Sequence, residues 1–277
     1  MKHISLTGHR SSHSISETTR KHHSIHYKEY APGKHLQPYI SCFWTMTSER
    51  DLEEPILHRV VPDGCADIIF DLNEHSYREV ASIVGTMTKP IFAILKGGIN
   101  YMAIRFFPGG FSRFFDSAMY NFTDQIIPLE TISGKEERNL TEQLFQENHV
   151  DNRTRLLERH LENLLRINNR SDPVATNAIY NILTNKGNIK VSELSRIVDT
   201  SKRQLRRKFD RWVGVSPKAF CRIIRFRNVL RMVKHDSKCN LLSIALEGGY
   251  YDQSHFIHEF NSYYGLNPSE FLRSKNL

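Results

Sequence analysis

Cysteine is scarce: four residues, Cys42, Cys65, Cys221 and Cys239, stand far apart in 277 positions with no Cys-x-x-Cys spacing. That excludes a disulfide framework and a zinc ribbon as the basis of the fold. No His-x-His pair occurs anywhere. A paired-histidine metal site is therefore missing, and neither catalysis nor a cofactor is expected. His22, His23 and His26 cluster in sequence but lack a Cys or carboxylate partner at closed-site spacing, so they read as surface histidines. No apolar run is long enough to cross a bilayer, and the N-terminus has no signal-peptide core. A cytoplasmic chain with no membrane partner is expected.

Charge is present but unevenly shared. Residues 171–277 carry 18 Lys and Arg against 9 Asp and Glu, whereas residues 1–170 carry 20 against 21. The whole basic excess thus lies in the C-terminal part, the pattern expected where phosphates are neutralised. Large apolar groups are also rare over residues 1–26, which are rich in Ser, Thr and His and are expected to be a disordered tail.

The C-terminal part repeats itself. TSKRQLRRKFDRWVGVSPKAF (200–220) aligns without a gap on YDQSHFIHEFNSYYGLNPSEF (251–271). The matches are Leu205 with Phe256, Phe209 with Phe260, Trp212 with Tyr263, Gly214 with Gly265, Pro217 with Pro268 and Phe220 with Phe271. Within each copy the first three apolar positions fall at i, i+4, i+7, the stripe of an amphipathic helix. Ser201 and Asp252 are suited to cap the helix starts, Gly214 and Gly265 to end them, and Ser216-Pro217 and Asn267-Pro268 to start the next helix. Shorter helical segments, 191–198 and 241–249, precede the two copies across tight turns. Helix, tight turn, longer helix is the helix-turn-helix order, and it occurs twice, over about 191–213 and 241–264.

The outward positions of the first reading helix are Lys202, Arg203, Gln204, Arg206, Arg207 and Lys208; those of the second are Gln253, Ser254, His255, Ile257 and His258. Arg matches the guanine edge, Gln the adenine edge, and Lys208 suits phosphate. Hence Lys202, Arg203, Gln204, Arg206, Arg207, Lys208, Gln253, Ser254, His255 and His258 are the candidate DNA-binding residues. The first helix is expected to supply most of the ionic grip. A lone basic helix is most simply a solvated face; two copies with matched caps and stops are not a coincidence of charge. Phe256, Phe260, Tyr263 and Trp212 read as core.

Residues 171–277, and GYYDQSHFIHEFNSYYGLNPSEF above all, resemble the DNA-binding domain of the AraC/XylS transcription regulators. The resemblance implies seven helices, with a long central one over 216–235 holding both units on adjacent major-groove faces roughly 34 Å apart. It also implies double-stranded DNA and RNA polymerase as partners, a small-molecule effector, activation, and a homodimer. Tyr251 and the histidine pair depart from the family pattern, which bears on base preference.

Before residue 171 the chain changes character. Segments 35–46, 56–72, 91–97 and 101–111 are short, rich in Ile, Val, Phe and Tyr, and broken by Pro-Asp-Gly, Gly-Gly-Ile-Asn and Pro-Gly-Gly. They predict strands of a sandwich or small barrel. By resemblance this is the family's cupin-like sensor barrel. The predicted architecture is α+β in two domains: a β-rich barrel with flanking helices over 27–170 and an all-α domain over 171–277. Segments 111–119, 132–147 and 151–167 look helical. The last carries Leu157, Leu161, Leu164 and Leu165 on one stripe, which wants a partner: its own barrel or, through 151–167, a second copy.

The leading expectation is an effector-responsive transcription regulator. A second is a regulator whose front domain only dimerises or binds a protein. A third is a DNA-repair protein using Cys65 as methyl acceptor, but the acidic Pro-Asp-Gly-Cys-Ala-Asp setting disfavours a thiolate. Trp44, His58, Tyr101 and Arg105 lie in predicted strands, and no effector residue can be chosen among them.

Overall fold

The structure, a computed structural model, describes residues 24–73, 81–132, 135–168, 170–235 and 240–275. His22, His23 and Cys239, with most of the tail expected to be disordered, lie outside them. Among the described residues the strands are β1 (Ile25–Tyr30), β2 (Ile40–Ser48), β3 (Leu52–Val60), β4 (Ala66–Asp71), β5 (Ala81–Val84), β6 (Ile91–Gly97), β7 (Asn100–Phe106) and β8 (Ile126–Pro128). Six form an antiparallel sheet in the order β1-β2-β7-β4-β5-β8, and β3 pairs with β6 as a second sheet.

Alternation along the strands divides the core in two. Phe43 on β2 and Met102, Ile104 and Phe106 on β7 face one cluster, while Cys42, Trp44, Met46 and Ala103 face another, closed by Ile56 and Leu95 of the second sheet. The first cluster is covered by helices α1 (Lys135–Gln146) and α2 (Val150–Ile167). Leu157, Leu161 and Leu164 of α2 are buried in it. The leucine stripe is thus closed by its own domain, and a homodimer through 151–167 loses its apolar support.

The structure departs from three readings of the sequence. Residues 35–39 are not strand: Leu36 and Gln37 donate to the Gly33 carbonyl and Tyr39 to that of Leu36, and Pro38 has no N–H to give a ladder. Residues 111–119 are not a regular helix but two 3-10 turns, Phe111–Arg113 and Met119–Phe122. Phe111, Phe114 and Phe115 all drive into the first core, Phe111 stacking on Phe115 at 4.7 Å, and their packing decides the backbone. Ile25 and His26, inside the expected tail, pair with Ser48 and Thr47, and His26 also lies 3.2 Å from Glu49.

His58 is buried in β3, and burial pushes its imidazole down to about 4. The unfolded chain then takes up the proton first, so stability is full above the ordinary histidine range and falls as pH drops towards 4. Urea unfolding should show the stability of wild type relative to the variant His58→Leu falling by about 2 kcal/mol between pH 7.5 and pH 5.

The C-terminal part is helical: α3 (Pro173–Thr184), α4 (Val191–Ile197), α5 (Lys202–Trp212), α6 (Pro217–His235), α7 (Leu241–Glu247), α8 (Gln253–Tyr264) and α9 (Pro268–Lys275). One hydrophobic core joins them, with Phe209, Phe220, Phe226, Phe256, Phe260 and Phe271 fully buried, and it takes in Val61 from the β-rich part. No helix among the described residues is long and apolar enough to cross a membrane.

Candidate nucleic-acid interface

Each helix-turn-helix unit is assembled from the same local instructions. The Ser201 hydroxyl accepts the Gln204 N–H at 3.2 Å, and the Asp252 carboxylate accepts the His255 N–H at 2.7 Å, at equivalent positions of the repeat. Gly214 and Gly265 both take the left-handed conformation the sequence predicts, at φ 89° and 81°. Asn267 and Glu270 then exchange side-chain and backbone bonds, both at 2.9 Å, as a capping box for α9. The units are not identical. The first helices of the units start 50 residues apart and the reading helices 51, so the second turn is one residue longer.

Capping and packing leave one face of each reading helix free. Lys202, Arg203, Gln204, Arg206 and Arg207 are exposed on α5, as are Gln253, Ser254, His255 and His258 on α8. Gln204 accepts the Thr200 hydroxyl at 3.1 Å, and the His255 ring meets Tyr250 edge-on at 5.3 Å, so both are oriented before any ligand arrives. Ile257 departs from its outward reading, being half-buried against the core. Lys208 departs too: its ammonium lies 2.6 Å from Asp172, the N-cap of α3.

At the position equivalent to Lys208, the second unit carries Glu259, which is 1% exposed. Its carboxylate meets Arg222 Nε at 2.5 Å and Arg225 Nε at 3.6 Å, both from α6. The two reading helices are therefore tethered at the same repeat position by ion pairs of opposite polarity. Sequence reasoning missed Glu259 and Asp172. The alignment of Glu259 on Lys208 was the available signal.

Between the reading helices runs a groove of about 730 Å³ rimmed by Lys190, Lys202, Lys218, Arg222 and Arg225, with His255 and His258 on its far wall. Lys190 and Lys218 are exposed. Two recognition faces flanking a common basic groove form a surface shaped for a polyanion that both can touch.

Comparison with known proteins agrees with this geometry. A family model described as "Helix-turn-helix domain" matches residues 194–274. An uncharacterized HTH-type transcriptional regulator of Haemophilus influenzae is 32% identical over 87 residues, 31% of this chain and 29% of the relative, so the match spans under a third of that protein. The C-terminal part thus contains a helix-turn-helix domain and is similar over that stretch to an HTH-type transcriptional regulator. A second model, "Domain of unknown function (DUF6597)", matches residues 28–128. Among solved structures, ToxT from Vibrio cholerae is 14% identical with a TM-score of 0.41, covering 90% of this chain and 98% of its own. A xylose-binding transcription activator, XylR, is 17% identical with a TM-score of 0.34, over 44% of this chain and 39% of its own.

Within the helix-turn-helix domain, the contrast between neighbours Arg207 and Lys208 can be measured. Arg207→Ala should weaken binding to duplex DNA and reduce the slope of log affinity against log salt by about 1. Lys208→Ala should leave that slope unchanged and lower the melting temperature instead, because it frees Asp172. Equal slopes for the two variants would contradict this assignment.

The β-rich domain meets the helix-turn-helix domain through a buried charge cluster. Arg105 on β7 pairs with Asp63 and, at 2.8 Å, with Asp67; Asp67 also accepts the Trp44 indole N–H at 3.0 Å. From α6, Arg227 donates to the Asp63 carbonyl at 3.3 Å. Of the residues left open above, Trp44 and Arg105 are thus committed to this network, His58 is buried, and Tyr101 packs half-buried between the two sheets. Cys65 is buried in the same loop, its N–H bonded to Asp63 at 2.9 Å.

Proposed function

We propose that this chain is a transcription activator of two parts. Residues 171–277 read a bipartite operator through α5 and α8, and residues 27–170 sense a small molecule. The observation that carries the reading is the pair of exposed, capped recognition faces on either side of one basic groove. Arg203, Gln204, Arg206 and Arg207 supply base-edge and phosphate contacts in one major-groove segment. Gln253, Ser254, His255 and His258 supply shorter, mostly neutral ones in the next, with Lys190, Lys202 and Lys218 on the backbone between them. An effector switches such a protein only by binding its DNA-competent and incompetent states unequally. RNA polymerase is the partner through which occupancy becomes activation.

The test is recovery of genomic DNA fragments by the full chain at two salt concentrations. The expected result is enrichment of two short blocks about one helical turn apart, with affinity falling as salt rises. Binding without sequence enrichment would count against the reading.

A second reading, in which the β-rich domain contacts a protein and needs no effector, is favoured by the packing between its sheets, where Cys42, Trp44, Met46, Ile56, Leu95 and Ile99 are all buried. If no metabolite pool shifts thermal stability or DNA affinity, that reading replaces effector sensing.

A further inference from the structure

The turns that close the two reading helices are equivalent positions of the repeat, and the β-rich domain holds both. At the end of α5 three successive carbonyls accept hydroxyls from that domain: Trp212 from Ser112 at 3.5 Å, Val213 from Thr86 at 2.6 Å and Gly214 from Thr123 at 2.6 Å. Carbonyls at a helix C-terminus are the ones left without intrahelical partners. A Cβ on Gly214 would lie 2.8 Å from the Thr123 hydroxyl and 2.9 Å from the Met119 carbonyl, so only glycine lets the turn sit this close.

The second unit is held at the same place by different chemistry. A Cβ on Gly265 would lie 2.8 Å from the Phe92 ring. Next to it the Arg59 guanidinium sits 4.5 Å from the Tyr264 ring centroid and 5.3 Å from that of Phe92. Both reading helices thus have their C-terminal ends fixed to one β-rich body, while their capped N-terminal ends stay exposed.

We propose that the β-rich domain sets the separation and angle of α5 and α8, and with them the spacer length that the protein accepts between the two halves of its operator. Thr86 and Thr123 at one turn, with Arg59 and Phe92 at the other, are the positioning residues. The inference rests on the reading of α5 and α8 as DNA readers. One base pair more or less in the spacer moves the second half-site by roughly 3.4 Å and turns it by about 35° around the duplex. Two units held together only by α6 and the core they share could shift slightly to follow that displacement; two units gripped also at both turns cannot.

The experiment measures binding of the full chain to duplexes carrying the recovered blocks with the spacer altered by one base pair in either direction. Wild type should lose at least about tenfold in affinity at either altered spacer, the order of one mismatched contact. Thr86→Val with Thr123→Val removes the hydroxyls at nearly constant volume, and Arg59→Met separately removes the cation from the second grip. Each should flatten the spacer profile to less than about threefold while binding of the optimal site stays within about the same factor. Thr86→Ser with Thr123→Ser keeps the hydroxyls and should restore the wild-type profile. Circular dichroism melting shows which variants are folded, and the two grips provide independent tests. An unchanged profile in both folded variants would overturn the proposal and leave the DNA reading standing. Absence of any bipartite site for wild type would instead remove the DNA reading itself.

Discussion

Replacing Arg105 by methionine is expected to cost about 3–5 kcal/mol of folding stability, the range for removing one partner of a buried ion pair. Arg105 lies on β7 between β2 and β4, and its side chain is 5% exposed. Its guanidinium answers Asp63 and Asp67 together, with side chains 7% and 11% exposed. Methionine fills the space but leaves two carboxylates facing each other in the interior. Burial already pushes the Asp67 carboxyl up to about 7, with the Trp44 bond opposing. Without the cation, the pair relieves itself by taking up a proton.

The sign follows from linkage. A carboxyl raised in the folded state binds protons that the unfolded chain releases, so stability of the variant falls as pH rises. Urea unfolding followed by tryptophan fluorescence should therefore find the deficit largest near pH 8 and partly recovered near pH 5.5. Adding Asp67→Asn should restore part of the loss at pH 8. A deficit below about 1 kcal/mol and independent of pH would show that the cluster is solvated rather than buried.

The second large effect belongs to Glu259. Glu259→Ala leaves Arg222 and Arg225 side by side on α6 with no anion between them. Arg222 is 42% exposed at its side chain and can turn to water. The cost is thus expected at about 2–3 kcal/mol, below the full penalty of a wholly buried pair. The loss should also be local. Footprinting should show protection fading at the half-site read by α8 while that read by α5 persists. Glu259→Gln keeps a hydrogen-bond acceptor for Arg222 and should lose less. Uniform weakening of both half-sites would mean that Glu259 holds the domain as a whole and does not position α8 in particular.

Legibility in the sequence tracked how local each cause was. Caps, stops and the reading faces of α5 and α8 depend on residues within one or two turns, and Ser201, Asp252, Gly214 and Gly265 announced them. β6 could be read directly from its flanking turns. β5 and β8 could not. They are four and three residues long and exist through pairing with each other and with β4, which no local pattern encodes. The Phe111–Phe115 turn was misread as helix because its i, i+3, i+4 spacing is helical while its burial is set by the sheet beneath. Of the reading faces, Lys208 turns to Asp172 and Ile257 to the core for related reasons. Helical periodicity gives a side chain's direction but not the long-range partner, Asp172 or the core, that claims it. The contacts between domains are longer in range still: Thr86 meets Val213 across 127 residues, and neither carries a signature of the other.

The opposite polarity of the two tethers also bears on how the chain folds correctly. Two amphipathic hairpins so alike in caps, stops and apolar stripe compete for each other's seats during collapse. Seating α8 where α5 belongs would press Glu259 against Asp172, and seating α5 in the place of α8 would press Lys208 against Arg222 and Arg225. Each exchange meets a like charge, so a single residue at one repeat position discriminates the native arrangement from its mirror assignment.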